Sequence, residues 1–259
     1  MANAGWKVLV VLFFAIPLYL QIVQGFNAFE TGVRMLPVSV CLFVTALVGS
    51  RLARRFAPRP IVRTGVALLV LASLLLLATI EPQIDTVPFA LAMGVLGIGM
   101  GLIVSQLGNV VQSAVTEADR GEAGGLQYTG QQLGASMGTA LIGAVVISGL
   151  IASFSAEVSS DPRISAGVQQ QVGVRLDGDV SFVSSDQVRA TAAEQGVAAE
   201  ATDVLVESYE SAQLRALKTG LLLAALLSMA AFIATANLPG GPPGAAAAAE
   251  PRPAVRAAT

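Results

Sequence analysis

The chain has 259 residues, 54% of them apolar and only 12% charged, with a net charge of -2 and a mean hydropathy of +0.70. Soluble domains carry about 25% charged residues, and six long apolar runs in a chain of this length leave too little polar surface to cover them in water. The absence of histidine and the solitary Cys41 exclude an internal disulfide, thiolate or histidine metal sites, histidine-ligated haem and Ser-His hydrolysis.

The runs cover residues 8–24, 33–48, 64–80, 87–111, 126–151 and 219–236. Most reach the roughly 17 to 25 residues that a helix needs to cross the hydrocarbon core. No water is available there to hydrogen-bond an open backbone, and the runs lack the alternation of barrel strands. The expected fold is therefore an all-α membrane protein with six transmembrane helices.

Lys7 precedes the first run, but no A-x-A-like cleavage site follows it, so this run is expected to be a retained helix, kinked near Pro17. Gln21 and Gln24 approach its outer end. At the start of the second run, Glu30 lies four residues before Arg34, in the favourable order for an ion pair on a helix. The second run then carries Ser39, Cys41, Thr45 and Gly49 as small or polar positions, with Cys41 read as a packing residue. The short loop after it holds Arg51, Arg54, Arg55, Arg59 and Arg63. Basic residues of short loops stay cytoplasmic, so this loop, Lys7, Arg120, Arg252 and Arg256 are expected inside, with both termini.

The third and sixth runs are nearly featureless and suit helices turned toward lipid. On the fourth, at 100° per residue, Ala90, Gly94, Gly97, Gly101, Ser105, Gly108 and Gln112 share one face, with Gln106 and Asn109 to one side. Such a strip admits another backbone closely. The fifth carries two faces: Gly130, Gly134 and Gly138 beside Gln127 and Gln131, and Gln132, Ser136, Thr139 and Gly143 nearly opposite. The pattern predicts interior helices one, two, four and five and peripheral helices three and six, and two sets of three suggest an internal repeat.

The organisation expected along the chain is five helices in 1–153, an acidic, partly helical extracytoplasmic loop in 154–212, the sixth helix in 213–237 and a disordered cytoplasmic tail in 238–259. Within the loop, 185–218 has few breakers and reads as one helix, capped by Ser185 or Asp186.

Intramembrane amides either bridge helices or line a path for cargo. The pathway candidates are Gln21, Gln24, Gln106, Asn109, Gln127, Gln131 and Gln132, with Arg34 at the outer rim. No acid falls within any membrane run, so a proton-relay carboxylate is expected elsewhere. There is no G-x-x-x-x-G-K-[ST] loop for nucleotide.

The stretches PLYLQIVQGFNAFETGVRMLP, GSRLARRFAPRPIVRTG, MGVLGIGMGL and DRGEAGGLQYTGQQLGASMGTALIG, in this order, resemble the C-terminal part of the fourteen-span drug:proton antiporters of the major facilitator superfamily. In that family the loop between the second and third helices of a half reads like G-R-L-A-D-R-x-G-R-R. Here Ser50 stands at the first glycine, Arg54 at the aspartate, Arg55 at its arginine, Ala57 at the second glycine, and Pro58 and Arg59 at the last pair. The resemblance implies a cytoplasmic gating loop made of Ser50, Arg51, Arg54, Arg55 and Arg59, in a copy that has lost the acid and both glycines.

The resemblance implies one six-helix half-bundle of a secondary transporter that exports amphipathic drug-like compounds. It would have no enzymatic activity and no cofactor, and proton coupling would come through a half not present in this chain. The partners implied are the lipid bilayer, a small amphipathic substrate and either an N-terminal half or a second copy, with no nucleic acid. Arginine greatly outnumbers lysine and alanine is abundant, which fits a bacterial cytoplasmic membrane protein. The alternative expectation is a non-transporting membrane anchor that presents the acidic loop to a partner.

Overall fold

The computed structural model describes residues 16–17, 19–53, 55–81, 84–112, 115–164, 183–194 and 196–235. Its elements are a π-helical turn, Tyr19–Val23, and six α-helices: α1 (Ala28–Leu52), α2 (Pro58–Thr79), α3 (Thr86–Gln112), α4 (Arg120–Ser160), α5 (Ser185–Glu194) and α6 (Ala199–Ala234). All but α5 and the π-helical turn are long and apolar enough to span a membrane, so the described residues hold five candidate spans. Most of the first predicted run, the centre of the acidic loop and the tail lie outside the described residues.

Where each helix starts is set by local chemistry. Asn27 caps α1: its side chain accepts from the Glu30 amide at 2.9 Å, and the Glu30 carboxylate accepts from the Asn27 amide at 3.1 Å. This reciprocal box satisfies two amides that a helix start otherwise leaves open. It also occupies Glu30, and Arg34 instead lies over the Phe26 ring, 3.6 Å from the centroid. The expected Glu30–Arg34 ion pair is absent among the described contacts, replaced by a cap and a cation–π stack. Pro58 opens α2, where the missing amide costs nothing.

Neighbouring helices approach through glycine, as the fourth run's pattern predicts. A Cβ on Gly101 would stand 2.7 Å from the Leu42 carbonyl oxygen and 2.8 Å from Thr45 Cβ, and one on Gly97 would stand 2.9 Å from Cys41 Cβ. Another face of α3 meets α2 through a second contact, in which a Cβ on Gly99 would lie 2.9 Å from the Gly65 carbonyl and the converse distance is also 2.9 Å. Lipid tails are as apolar as leucine, so such close packing, rather than hydrophobic transfer, holds membrane helices together.

The packing order differs from the expected interior and periphery. α3 is the most buried of the five spans and sits between α1 and α2; α6 packs on both α2 and α4; α1 is the least buried. Thus the two leucine-rich helices, α2 and α6, are central within this chain: Leu69, Ala72, Ser73 and Leu76 of α2 are fully buried, as are Ala212, Gln213, Ala224 and Ser228 of α6. Meanwhile α1 leaves Phe29, Leu36, Val40, Phe43 and Leu47 exposed along its length, and α4 does the same with Leu126, Leu133, Met137 and Leu141.

α4 has 41 residues and α6 has 36. At 1.5 Å per residue they extend about 61 and 54 Å, well beyond a hydrocarbon core of about 30 Å. Both therefore continue outside the membrane as a packed pair. There Phe154 meets Tyr209 edge-on with centroids 5.4 Å apart, and Arg215 pairs with Glu157 at 2.9 Å. The single helix predicted over 185–218 is two, α5 and α6, separated at Gly196, whose φ of 70° is costly for any residue with a Cβ. The cap of α5 is Ser184 rather than Ser185 or Asp186: Ser184 Oγ accepts from the Gln187 amide at 3.4 Å, and Gln187 Oε1 accepts from the Ser184 amide at 3.2 Å.

Candidate functional site

The polar candidates divide into those absorbed by packing and those left open. Gln24 ties the end of the first run to the turn between α2 and α3, its Nε2 donating to the Glu81 carbonyl at 3.0 Å and to Tyr19 Oη at 3.1 Å. Tyr19 Oη donates to the same carbonyl at 2.7 Å. Gln21, three residues earlier, is exposed. Arg34 is held over Phe26 at the same end.

Gln106 is completely buried, and its Nε2 donates to the Gly49 carbonyl of α1 at 3.0 Å and to Ser105 Oγ at 3.0 Å. This is a bridge between helices and is withdrawn from any open surface. The side chain of Asn109 lies outside the described residues.

On α4 the two predicted faces have different fates. Gly134 and Gly138 are buried and continue, every fourth residue, into Ile142, Val146, Leu150, Phe154 and Val158. The upper part of this ridge seats against α6, where a Cβ on Gly220 would lie 2.9 Å from Val146 Cγ2. Gly130, Gln127 and Gln131 are half-buried, and Gln132 and Ser136 are exposed. The side-chain amides of the three α4 glutamines have no hydrogen-bond partner among the described residues, and nothing within 4 Å would meet a Cβ on Gly143. The amides without a partner therefore gather on α4, beside its uncovered apolar stripe, while the α3 amide is a clasp. Gly94 meets the α1 face more loosely than Gly97: a Cβ there would lie 3.6 Å from Cys41 Sγ.

The arginine loop closes α1 onto α2 in five residues. The amides of Arg55 and Phe56 both donate to the Leu52 carbonyl, at 3.0 and 2.9 Å, folding the chain directly under the end of α1. Ser50 Oγ donates to the Leu47 carbonyl at 2.7 Å. Arg51 and Arg55 are exposed, Arg59 is half-buried, and Arg54 lies outside the described residues. Arg63 stacks on Phe232 at the end of α6, 5.0 Å from the ring centroid.

Several contacts have no counterpart in the sequence reading: Gly65 against Gly99, Arg34 on Phe26, Arg63 on Phe232, and Tyr209 with Gln213 on Val183. The glycine pair is foreshadowed only by Gly99 standing off the main stripe.

The Major Facilitator Superfamily profile matches residues 2–139, more than half of the chain and all of α1, α2 and α3. The chain belongs to the major facilitator superfamily. Relatives within it include the tetracenomycin C resistance and export protein of Streptomyces glaucescens, 34% identical over 135 residues, which are 52% of this chain and 25% of that protein. The multidrug efflux pump LfrA of Mycolicibacterium smegmatis is 27% identical over 182 residues, 69% of this chain and 34% of that protein. The probable actinorhodin transporter of Streptomyces coelicolor is 34% identical over 143 residues, 52% of this chain and 24% of that protein. Each match spans about a quarter to a third of the relative's length. As a major facilitator chain it is a multi-pass membrane protein related to drug efflux and resistance transporters.

Proposed function

We propose that the chain supplies one helical half of a secondary transporter that exports amphipathic compounds across a bacterial cytoplasmic membrane. The observation that carries this reading is the pair of uncovered stripes on α1 and α4. In a body whose other spans are well packed, the exposed stripe of Leu126, Leu133, Met137 and Leu141 has no covering neighbour among the described residues, and the same helix carries Gln127, Gln131 and Gln132, whose side-chain amides have no partner among those residues. An amphipathic cargo needs such a surface, apolar along most of its length with a few amides to orient it. The other wall of the path comes from a further transporter half or a second copy. Proton coupling also resides there, because the membrane runs of this chain hold no carboxylate.

An efflux assay tests this directly, with a fluorescent cationic dye in cells that carry this chain alone or together with an N-terminal major facilitator half. Energy-dependent efflux only in the pair is the expected result; proton-driven efflux from the chain alone would overturn the division of labour.

A second reading rests on the projecting pair formed by α4 and α6, which gives the chain a helical head outside the bilayer. In a docking protein, deleting residues 165–195 abolishes function; in a transporter half, residual efflux survives.

A further inference from the structure

We propose that the turn between α1 and α2 is a binding site for the headgroup of an anionic phospholipid, made by Arg51, Arg55 and Arg59 around an outward-facing Phe56. Fifty residues, from Thr31 to Ile80, carry six arginines and no acid. Three of these arginines are accounted for or lie elsewhere: Arg34 stacks on Phe26, Arg63 on Phe232, and Arg54 is outside the described residues. The remaining three have no ion-pair partner among the described residues. The acids of the α3–α4 turn at the same end of the bundle are engaged locally: Glu117 faces Arg120 at 3.6 Å, and Asp119 accepts from Thr116 Oγ1 at 2.6 Å.

The arrangement places these charges at the depth of the headgroups. Arg51 sits in the last turn of α1, Arg59 in the first turn of α2, and Arg55 in the tight turn between them, where the Leu52 carbonyl gathers the Arg55 and Phe56 amides. Phe56 is 53% exposed with arginine on either side of its turn. An exposed ring among unpaired cations gains nothing at a water-facing protein surface, where the guanidinium groups are simply hydrated. It is favourable where the ring enters the interfacial layer and the guanidinium groups meet phosphate. Guanidinium matches phosphate oxygens with paired donors, which a lysine ammonium does not reproduce. The site adds a lipid requirement to the protein and does not depend on what the chain transports.

Titrating the delipidated full chain with phosphatidylglycerol or phosphatidylcholine of identical acyl chains, and counting bound lipids by native mass spectrometry, tests the proposal. The wild type is expected to prefer phosphatidylglycerol, with the preference weakening as salt rises. Each Arg→Gln change at 51, 55 or 59 is expected to lower it by about fivefold at low ionic strength. The triple lysine variant retains part of the preference and separates loss of charge from misfolding; Phe56→Ser weakens both lipids; Arg189→Gln, on α5, changes neither. Equal affinity of the wild type for the two lipids, or a preference that survives in Arg51→Gln/Arg55→Gln/Arg59→Gln, would overturn it.

Discussion

Gln106 on α3 reaches across to α1 and donates to the carbonyl of Gly49 at 3.0 Å, a carbonyl that also accepts from the Ala53 amide of its own helix at 3.0 Å. The bond exists because Gly49 has no side chain: a Cβ there would stand 2.7 Å from Ser105 Cβ. Of the two residues, the glycine is the more restrictive. Hydrogen bonds between membrane helices are worth about 0.6 kcal/mol on average, and Gln106→Leu also removes an Oε1 that is buried without a partner among the described residues. Gln106→Leu is expected to cost under about 1 kcal/mol, and Gly49→Ala about 1 to 3 kcal/mol through overpacking. Thermal unfolding of the purified protein in detergent checks the order.

Cys41 provides a native reporter of the α1–α3 seam. Gly97→Ala forces a methyl group against the Val38 backbone and Cys41 Cβ, and α1 must move away. Maleimide labelling of Cys41 is expected to accelerate several-fold in this variant. In Gly143→Ala, where nothing lies within 4 Å, labelling should remain at the wild-type rate and stability should stay within about 0.5 kcal/mol.

Outside the bilayer, Val183, the residue before the α5 cap, is fastened to α6 by side chains. The Val183 amide donates to Tyr209 Oη at 3.1 Å, Tyr209 Oη donates to the Val183 carbonyl at 3.3 Å, and Gln213 Nε2 donates to the same oxygen at 2.7 Å. Tyr209→Phe removes both hydroxyl contacts while keeping the ring against Phe154. Amide exchange over residues 183–194 is expected to speed up by about tenfold, the equivalent of roughly 1.4 kcal/mol of local opening. Exchange within α2 should not change.

At the end of α4, Arg163 binds Asp161 with both Nε and a terminal nitrogen, the shorter contact being 2.7 Å. These bonds hold the Asp161 carboxyl below its ordinary value of 3.8. A carboxyl lowered in the folded state contributes above its unfolded pKa, and the contribution is lost as pH falls through the folded value. The turn is thus expected to stay closed at pH 4 and to open only under stronger acid. A carbon NMR titration of Asp161 with its midpoint below the ordinary aspartate value would support this, and Arg163→Gln should restore the midpoint to that value.

The spans could be read from the sequence because length and polarity alone decide whether a helix crosses lipid. The α3 stripe was legible for a similar reason: Gly97, Gly101 and Ser105 repeat at helical spacing, so they must share a face. What occupied each face was not legible. Gly65 and Gly99 matter only because each is opposite the other's carbonyl, a relation that no local pattern encodes. Leucine and alanine bury as readily against protein as against lipid, so α2 and α6 gave no sign that they pack centrally. Glu30 and Arg34 had ion-pair spacing, yet Asn27 and Phe26 offered each a nearer partner. Among the pathway candidates, the sequence could not distinguish Gln106, which clasps α1, from Gln131, whose side chain has no hydrogen-bond partner among the described residues.

The central claim is that the spans alternate through the membrane, with the arginine turn at one end of the bundle and the start of α6 at the other. In a Cys41→Ser background, Arg55→Cys and Glu200→Cys can be labelled in intact cells with a membrane-impermeant maleimide. Labelling of position 200 with protection of position 55 until the cells are permeabilised is the predicted result. Labelling of both positions in intact cells, or of neither, would contradict the account.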